Sequence, residues 1–110
     1  MSDPTLEFLY RLQPTRPAML TDGLTSEENA AVAAHLAYLA RLAAAGVVPL
    51  FGRTQTTDPS TFGIVIFRAG SPAEAHRIMA DDPAVQGHVM RAELFPFRVA
   101  GASPDLAARA

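Results

Sequence analysis

The sequence predicts a single α+β domain with a four-stranded antiparallel sheet. Three observations indicate this class. Residues 6–12 alternate side chains with the period of a strand, two Ser/Thr-initiated segments open amphipathic helices, and residues 64–67 form a short β-branched apolar run. The length of 110 residues suits one domain, which we expect to have a core over about residues 5–100 and a loose tail over 101–110.

The first strand is predicted over residues 6–12 and is closed by Pro14 and Pro17, with a loop over 14–24. The first helix is predicted from about residue 26 to about 45, because Thr25 and Glu28 have the spacing of a capping box. Gly46 is placed for a left-handed cap at its end. Its predicted buried stripe consists of Val32, Leu36, Leu39 and Ala43.

The second strand is predicted over residues 47–51 at a sheet edge, since Pro49 lacks an amide donor, and a polar loop follows over 54–60. Residues 64–67 are apolar on both faces, which is typical of a central strand covered on two sides.

A second capping box, Ser71 with Glu74, opens the next helix, and residues 81–83 end it. Its predicted buried stripe is Ala75, Ile78 and Met79. The last strand is predicted over 88–99, where Pro96 indicates a bulge or an edge position.

The resulting order is βαββαβ, a ferredoxin-like topology in which the first and third strands are central and both helices pack on one sheet face. The second apolar face of the third strand then needs another cover. A second copy of the same sheet provides one, so we expect a two-fold homodimer that is formed through the sheet faces.

Composition excludes several classes of function. The net charge is −2 and all nine cations are Arg without a basic run, which disfavours a nucleic-acid partner. The chain has no Cys for a disulfide, a thiolate nucleophile or a Cys-bound metal, and we expect a cytoplasmic protein without membrane association. Its three His have no metal-ligand spacing and no Gly-rich phosphate loop occurs, so we expect no metal or cofactor.

His35 is the strongest candidate for chemistry. It is predicted near Leu39 at the margin of the first helix's apolar stripe, where a carboxylate such as Asp82 could fix one tautomer, as a general base requires. A purely structural His at a core margin fits the pattern as well. Asp82 before Pro83 also has a structural explanation as a helix-ending residue, and Asp81 serves that role equally well.

Other side chains are candidates for contacts with a ligand. Arg11 lies on a central strand and needs a partner, either a bound anion or an internal carboxylate such as Glu93, and we favour the internal pair. Tyr10 and Tyr38 could orient a ligand through their hydroxyls, although packing alone explains them too. We expect His76 to be exposed, and His88 as well.

An ordered series of short motifs resembles the YCII-related (YciI-like) family of dimeric α/β-barrel proteins. No motif is specific alone, but together they span nearly the whole domain. They are His35-Leu36-Ala37-Tyr38-Leu39, Gly46, Phe51-Gly52, Ile64-Val65-Ile66-Phe67, Ser71-Pro72-Ala73-Glu74-Ala75, Asp81-Asp82-Pro83 and Glu93-Leu94.

The resemblance implies that His35 and Asp82 form an acid–base pair. As candidate substrate-binding residues we name Arg11, Tyr38 and Gly52. Arg53 departs from the family pattern, in which Pro commonly follows the Gly. Most members have no assigned activity, and one branch eliminates HCl from a chlorinated hydroxyquinol. We therefore expect a cofactor-independent lyase or isomerase for a small anionic or phenolic metabolite, and the alternative is a non-catalytic ligand-binding or protein-interaction dimer.

Overall fold

The computed structural model describes residues 6–104, and its order of elements follows the predicted βαββαβ plan with two short helices added. The elements are β1 (Leu6–Pro14), α1 (Met19–Asp22), α2 (Ser26–Ala44), β2 (Leu50–Arg53), β3 (Gly63–Ala69), α3 (Pro72–Ala80), α4 (Pro83–Gln86) and β4 (Met90–Phe97). The sheet order is β2-β3-β1-β4, and all neighbouring strands are antiparallel. The ferredoxin-like topology with β1 and β3 at the centre is therefore confirmed.

Helix α2 begins and ends where local chemistry predicts. The Thr25 hydroxyl accepts from the Glu28 amide at 3.1 Å, and the Glu28 carboxylate accepts from the Thr25 amide at 2.8 Å, so both bonds of the capping box form. At the other end Gly46 has φ +81°, a conformation that an L side chain rarely adopts. Both boundaries were thus readable from the sequence.

The predicted buried stripe of α2 is wrong at Leu36, which is 51% exposed. The buried residues of this helix are His35 and Leu39, one turn apart, with Tyr38 and Leu42 packed partly against the core. The helix is apolar around much of its circumference, so periodicity alone could not choose the face. Its rotation buries His35, which is 7% exposed and contacts Asp82 in the turn between α3 and α4, instead of leaving it at the margin.

Strand β2 is shorter than predicted and starts after Pro49 instead of at Val47. The Val47 carbonyl still accepts from the Arg68 amide at 2.9 Å, but Pro49 has no N–H with which to continue the ladder. The pairing resumes at Leu50, which is opposite Ile66. The predicted edge position of this strand is confirmed.

The second predicted capping box forms only in part. The Ser71 hydroxyl accepts from the Glu74 amide at 3.1 Å, whereas the Glu74 carboxylate accepts from the Gly70 amide instead of that of Ser71. Helix α3 ends at Ala80 as expected, with Ala75 and Met79 buried. Asp82 also starts a new helix, α4, which the sequence analysis did not predict.

The remaining differences from the prediction concern the bounds of β4 and the segment after β1. Strand β4 covers Met90–Phe97 instead of 88–99, and its register with β1 is continuous, so the bulge is absent and the edge position explains Pro96. The segment predicted as a loop over 14–24 contains helix α1. The prediction of a loose tail falls largely on residues 105–110, which lie outside the described part of the chain.

The sheet has one covered face and one open face. Alternate residues of β1 and β3, among them Tyr10 and Phe67, pack with Leu39 and Met79 into one core beneath α2 and α3. By the same alternation the other side chains point away from the helices, and we call this surface the open sheet face. Its members are Glu7, Leu9, Arg11, Gln13, Leu50, Gly52, Ile64, Ile66, Arg68, Arg91, Glu93, Phe95 and Phe97.

Within residues 6–104, no helix has the length and apolar character needed to cross a membrane. In the same part of the chain, no group of three or more His, Cys, Asp or Glu side chains is arranged to hold a metal ion.

An ion pair ties the 15–24 segment to the start of α2. The Arg16 guanidinium donates to both carboxylate oxygens of Glu28, at 2.8 and 2.6 Å, and to the Gly23 carbonyl at 3.0 Å. The hydrogen bond from Arg16, together with the Thr25 amide, lowers the pKa of Glu28 from 4.5 to about 2. Because the folded-state pKa is depressed, this stabilisation is present above the ordinary pKa and is lost as the pH falls from about 4.5 to about 2.

We expect Glu28→Gln to remove this acid-dependent part of the stability and to speed amide exchange across the 15–24 segment at neutral pH. Glu27→Gln is the matched control, because Glu27 is an exposed carboxylate in the same helical turn. The measurement is urea unfolding at neutral pH and near pH 3, with hydrogen exchange at neutral pH. Equal pH dependence in the two variants would show that the Arg16–Glu28 pair contributes nothing.

Candidate functional site

The turn between α3 and α4 places the carboxylate of Asp82 inside the protein. Asp82 precedes Pro83, and its backbone is extended (φ −60°, ψ 124°), as a residue before proline prefers. Its side chain accepts from the Ala84 amide at 3.0 Å and so caps the N-terminus of α4. The residue has 0% exposure, which places an acidic group in the core. A buried carboxylate requires further hydrogen-bond donors.

His35 contacts this carboxylate from helix α2. Its Nδ1 lies 2.8 Å from both carboxylate oxygens of Asp82, and the two residues are 47 positions apart in the chain. His35 is 7% exposed. The structure therefore brings the two residues predicted as an acid–base pair into direct contact, through α2 and the α3–α4 turn.

Tyr10 supplies another donor from the central strand β1. Its hydroxyl donates to Oδ2 of Asp82 at 2.8 Å, and the residue has 0% exposure. The Tyr10 ring packs edge-on against Phe67, with centroids 5.4 Å apart. Asp82 thus contacts β1 through Tyr10 and α2 through His35, and it caps α4 with its own side chain.

The second ring nitrogen of His35 is the group available for chemistry. Nε2 makes no hydrogen bond with any of residues 6–104, and across that range the only buried side-chain nitrogen or oxygen without a partner is Arg11 Nε. Nε2 is therefore reached by solvent. With Nδ1–H donated to a carboxylate, a neutral imidazole has its lone pair on Nε2, which can take a proton and return it.

Burial and the nearby charge of Asp82 both raise the pKa values of Tyr10 and Tyr38. Burial, and then the charge of Asp82, raises the pKa of Tyr10 far above its usual value, so its hydroxyl stays a hydrogen-bond donor. Burial, and then the charges of Asp81 and Asp82, raises the pKa of Tyr38. The Tyr38 hydroxyl donates at 2.8 Å to the Ile78 carbonyl, which joins α2 to α3.

The three predicted substrate-binding residues do not meet around His35. Arg11 lies on the open sheet face, on the opposite side of β1 from Tyr10, and pairs with Glu93 directly across from it on β4. The favoured internal ion pair is therefore present, although both side chains are about half exposed. Tyr38 lies one turn after His35, but its hydroxyl is used by a backbone carbonyl. Gly52 lies on the edge strand β2.

Two shallow grooves lie at the borders of the sheet. A groove of about 270 Å³ at the β2 edge includes Gly52, Arg53 and Phe62. A second groove, of about 300 Å³, lies where Phe8 and Phe97 approach Pro72. Neither groove includes His35 or Asp82, so His35 Nε2 reaches solvent outside both of them.

Tyr10 and the Ala84 amide are the two contacts of Asp82 that the sequence analysis did not identify. The strand period places Tyr10 on the same face as Phe8 and Leu12, and a fully buried tyrosine hydroxyl needs an acceptor. That reasoning could have indicated a buried polar partner for Tyr10. The choice of Asp82 depends on a contact across 72 residues, which no local pattern predicts.

Comparison with solved structures gives matches that include two enzymes. One is the 5-chloro-2-hydroxyhydroquinone dehydrochlorinase (TftG) from Burkholderia phenoliruptrix AC1100, in complex with 2,5-dihydroxybenzoquinone. It is 21% identical, with a TM-score of 0.59 over 83% of this chain and 93% of that one. The other is SnoaB, a cofactor-independent oxygenase from Streptomyces nogalater, which is 16% identical with a TM-score of 0.45 over 93% and 99% of the two chains. At these identities the first similarity shows the fold.

Sequence comparison supplies the family. No curated protein matches the chain significantly. The family model of the YCII-related domain matches residues 8–98, which include most of β1, the His35 helix, the Asp82 turn and β4. Because this match covers most of the chain, the protein belongs to the YCII-related domain family.

Proposed function

We propose that the protein is a cofactor-independent lyase or isomerase in which His35 transfers a proton and Asp82 orients it. The observation that carries the proposal is the geometry of the imidazole. Nδ1 is held at 2.8 Å from a fully buried carboxylate, and Nε2 is reached by solvent. This is the arrangement of a general base, because one nitrogen is fixed and the other is free to exchange a proton.

For an elimination of HCl, the proton, the electron pair and the chloride can each be accounted for. In the keto tautomer of a chlorinated hydroxyquinol, the carbon that bears chlorine is tetrahedral. Nε2 removes a hydroxyl proton from this tautomer, and the electron pair left behind forms the quinone double bonds as the C–Cl bond breaks and chloride leaves. The charge that develops on the imidazole lies beside the Asp82 carboxylate, which stabilises it. The imidazolium then returns its proton to solvent, so His35 is regenerated without an oxidant or a metal.

The similar fold of the dehydrochlorinase suggests a first substrate class to test. That protein's name gives a chlorinated hydroxyquinol as its substrate, and its structure contains a dihydroxybenzoquinone. Small hydroxylated rings have acidic protons that an imidazole can remove. For this chain they are a starting point, since the 21% identity between the two proteins carries the fold only.

A second candidate function is a non-catalytic ligand-binding or protein-interaction dimer. Two observations favour it: neither groove opens onto His35, and Asp82 already joins three elements through hydrogen bonds. In this case the buried pair is structural. His35→Leu would then lower the stability, because it leaves the buried Asp82 carboxylate without one of its partners, but the folded variant would keep its ligand binding and assembly.

We also propose that the protein is a cytoplasmic homodimer joined through the open sheet face. This face carries large apolar side chains, with Phe95 42% and Phe97 39% exposed. It also carries charges of both signs, including the Arg11–Glu93 pair. A two-fold axis brings such a mixed surface against itself, so opposite charges can meet across the interface.

His35→Ala should lower the rate of chloride release from 5-chloro-2-hydroxyhydroquinone by about 10²–10⁴-fold, the usual contribution of general acid–base catalysis. The measurement is released chloride under steady-state conditions, with binding of 2,5-dihydroxybenzoquinone followed by calorimetry. His76→Ala is the matched control, because His76 is an exposed helical histidine away from Asp82. Equal rates for wild type and His35→Ala would refute proton transfer by His35.

The wild-type protein should sediment with about twice the chain mass of 11.7 kDa. Phe95→Asp should convert it to a monomer, because a carboxylate in the apolar interface loses its hydration. Leu36→Asp is the matched control: Leu36 is also an exposed apolar residue, 51% accessible, but lies on α2 away from the open sheet face. A monomeric wild type at several hundred micromolar, or equal masses for the two variants, would exclude this interface.

A further inference from the structure

Tyr10 is a buried titratable group that the proposed proton transfer does not use directly. It comes from the central strand and has no exposed surface, yet its hydroxyl lies 2.8 Å from the carboxylate that holds His35. An aromatic residue at this place in a core needs no hydroxyl for packing, since Phe8 and Phe67 fill neighbouring positions without one. The hydroxyl therefore has a polar task.

The Tyr10 ring cannot easily move away from Asp82. It packs edge-on against Phe67, with an interplanar angle of 76°, and sits on β1 between two hydrogen-bonded neighbours, β3 and β4. Its hydroxyl consequently lies at a fixed point of the core. From there it donates to Oδ2 of Asp82, while the Ala84 amide donates to Oδ1.

These two donors determine which tautomer of His35 fits beside Asp82. A carboxylate that accepts from Tyr10 and from Ala84 is fixed in position and orientation, and the remaining contact, Nδ1 of His35, is at 2.8 Å from both oxygens. If Nδ1 carries the proton, all three groups around the Asp82 carboxylate are hydrogen-bond donors. In the other tautomer the Nδ1 lone pair would face the carboxylate oxygens, which is repulsive.

We propose that Tyr10 is a positioning residue that acts through Asp82 to hold His35 in the tautomer with the proton on Nδ1 and the lone pair on Nε2. The expected effect of Tyr10 on turnover rests on the proposed function, whereas its effect on the His35 tautomer is independent of that function. Nothing in the proposal requires Tyr10 to touch a substrate.

Tyr10→Phe tests the proposal because it deletes only the hydroxyl. Long-range ¹H–¹⁵N correlation spectra of ¹⁵N-labelled protein at mildly alkaline pH report which imidazole nitrogen carries the proton. We expect wild-type His35 to show a protonated Nδ1 and an unprotonated Nε2, and Tyr10→Phe to move both shifts toward the average of exchanging tautomers. His76→Ala and His88→Ala identify the His35 signals by elimination.

Tyr38→Phe is the matched control. It removes the other tyrosine hydroxyl, which also makes a 2.8 Å hydrogen bond between elements but donates to the Ile78 carbonyl and not to Asp82. A merely structural role for Tyr10 would change thermal stability in both variants and leave the His35 nitrogen shifts alone in both. Unchanged His35 shifts in a folded Tyr10→Phe protein would overturn the proposal.

A second measurement covers the case in which Tyr10→Phe does not fold. The chain has two tyrosines, so 3-fluorotyrosine incorporated into Tyr38→Phe protein labels Tyr10 alone. The fluorinated hydroxyl is a stronger donor, so the His35 nitrogen shifts should change relative to unlabelled Tyr38→Phe. Identical nitrogen shifts would overturn the proposal in the same way.

Turnover separates this inference from the proposed function. With a working chloride-release assay, Tyr10→Phe should lower kcat about tenfold with KM nearly unchanged, and His76→Ala, at an exposed histidine of α3, should alter neither. If His35→Ala leaves the rate unchanged, the proposed function fails and the nitrogen shifts still decide the tautomer. If His35→Ala abolishes turnover and Tyr10→Phe leaves the shifts and kcat unchanged, only the role of Tyr10 fails.

Discussion

The carboxylate of Asp82 is excluded from solvent and accepts hydrogen bonds from a helix, a strand and a backbone amide. Leaving such a group without its partner costs on the order of 3–5 kcal/mol, so the surrounding elements have to remain in place together. Asp82 couples the packing of α2 and α4 to the central strand. The same contacts that stabilise the fold therefore determine the orientation of His35.

The core surrounds the two ring nitrogens of His35 differently. A histidine inside a protein is more often structural than reactive, but here only one of its ring nitrogens is used by the interior. Solvent reaches the other. The enzymatic and structural interpretations share this geometry and differ in whether a small molecule approaches Nε2, which is a question about the surface beside α2.

The two faces of the sheet have separate roles. The face under the helices holds the core and the Tyr10–Asp82–His35 contacts. The open sheet face combines exposed aromatic side chains with the Arg11–Glu93 pair, and Gly52 borders the groove at its β2 edge. Because Arg11 and His35 belong to opposite sides of β1, the predicted substrate-binding set divides into two regions. We therefore regard Arg11 as part of the proposed dimer surface.

Features that depend on neighbours in the chain could be predicted before the fold was known. The Thr25–Glu28 box, the left-handed Gly46, the strand alternation around Tyr10 and the extended Asp82 before Pro83 all follow from local sterics and hydrogen bonding. Packing against the rest of the chain selected the buried face of α2, because an Ala- and Leu-rich helix offers several apolar faces of similar energy. It also decided that Tyr10 meets Asp82, since the side chain that satisfies a buried hydroxyl comes from 72 residues away and is selected by packing.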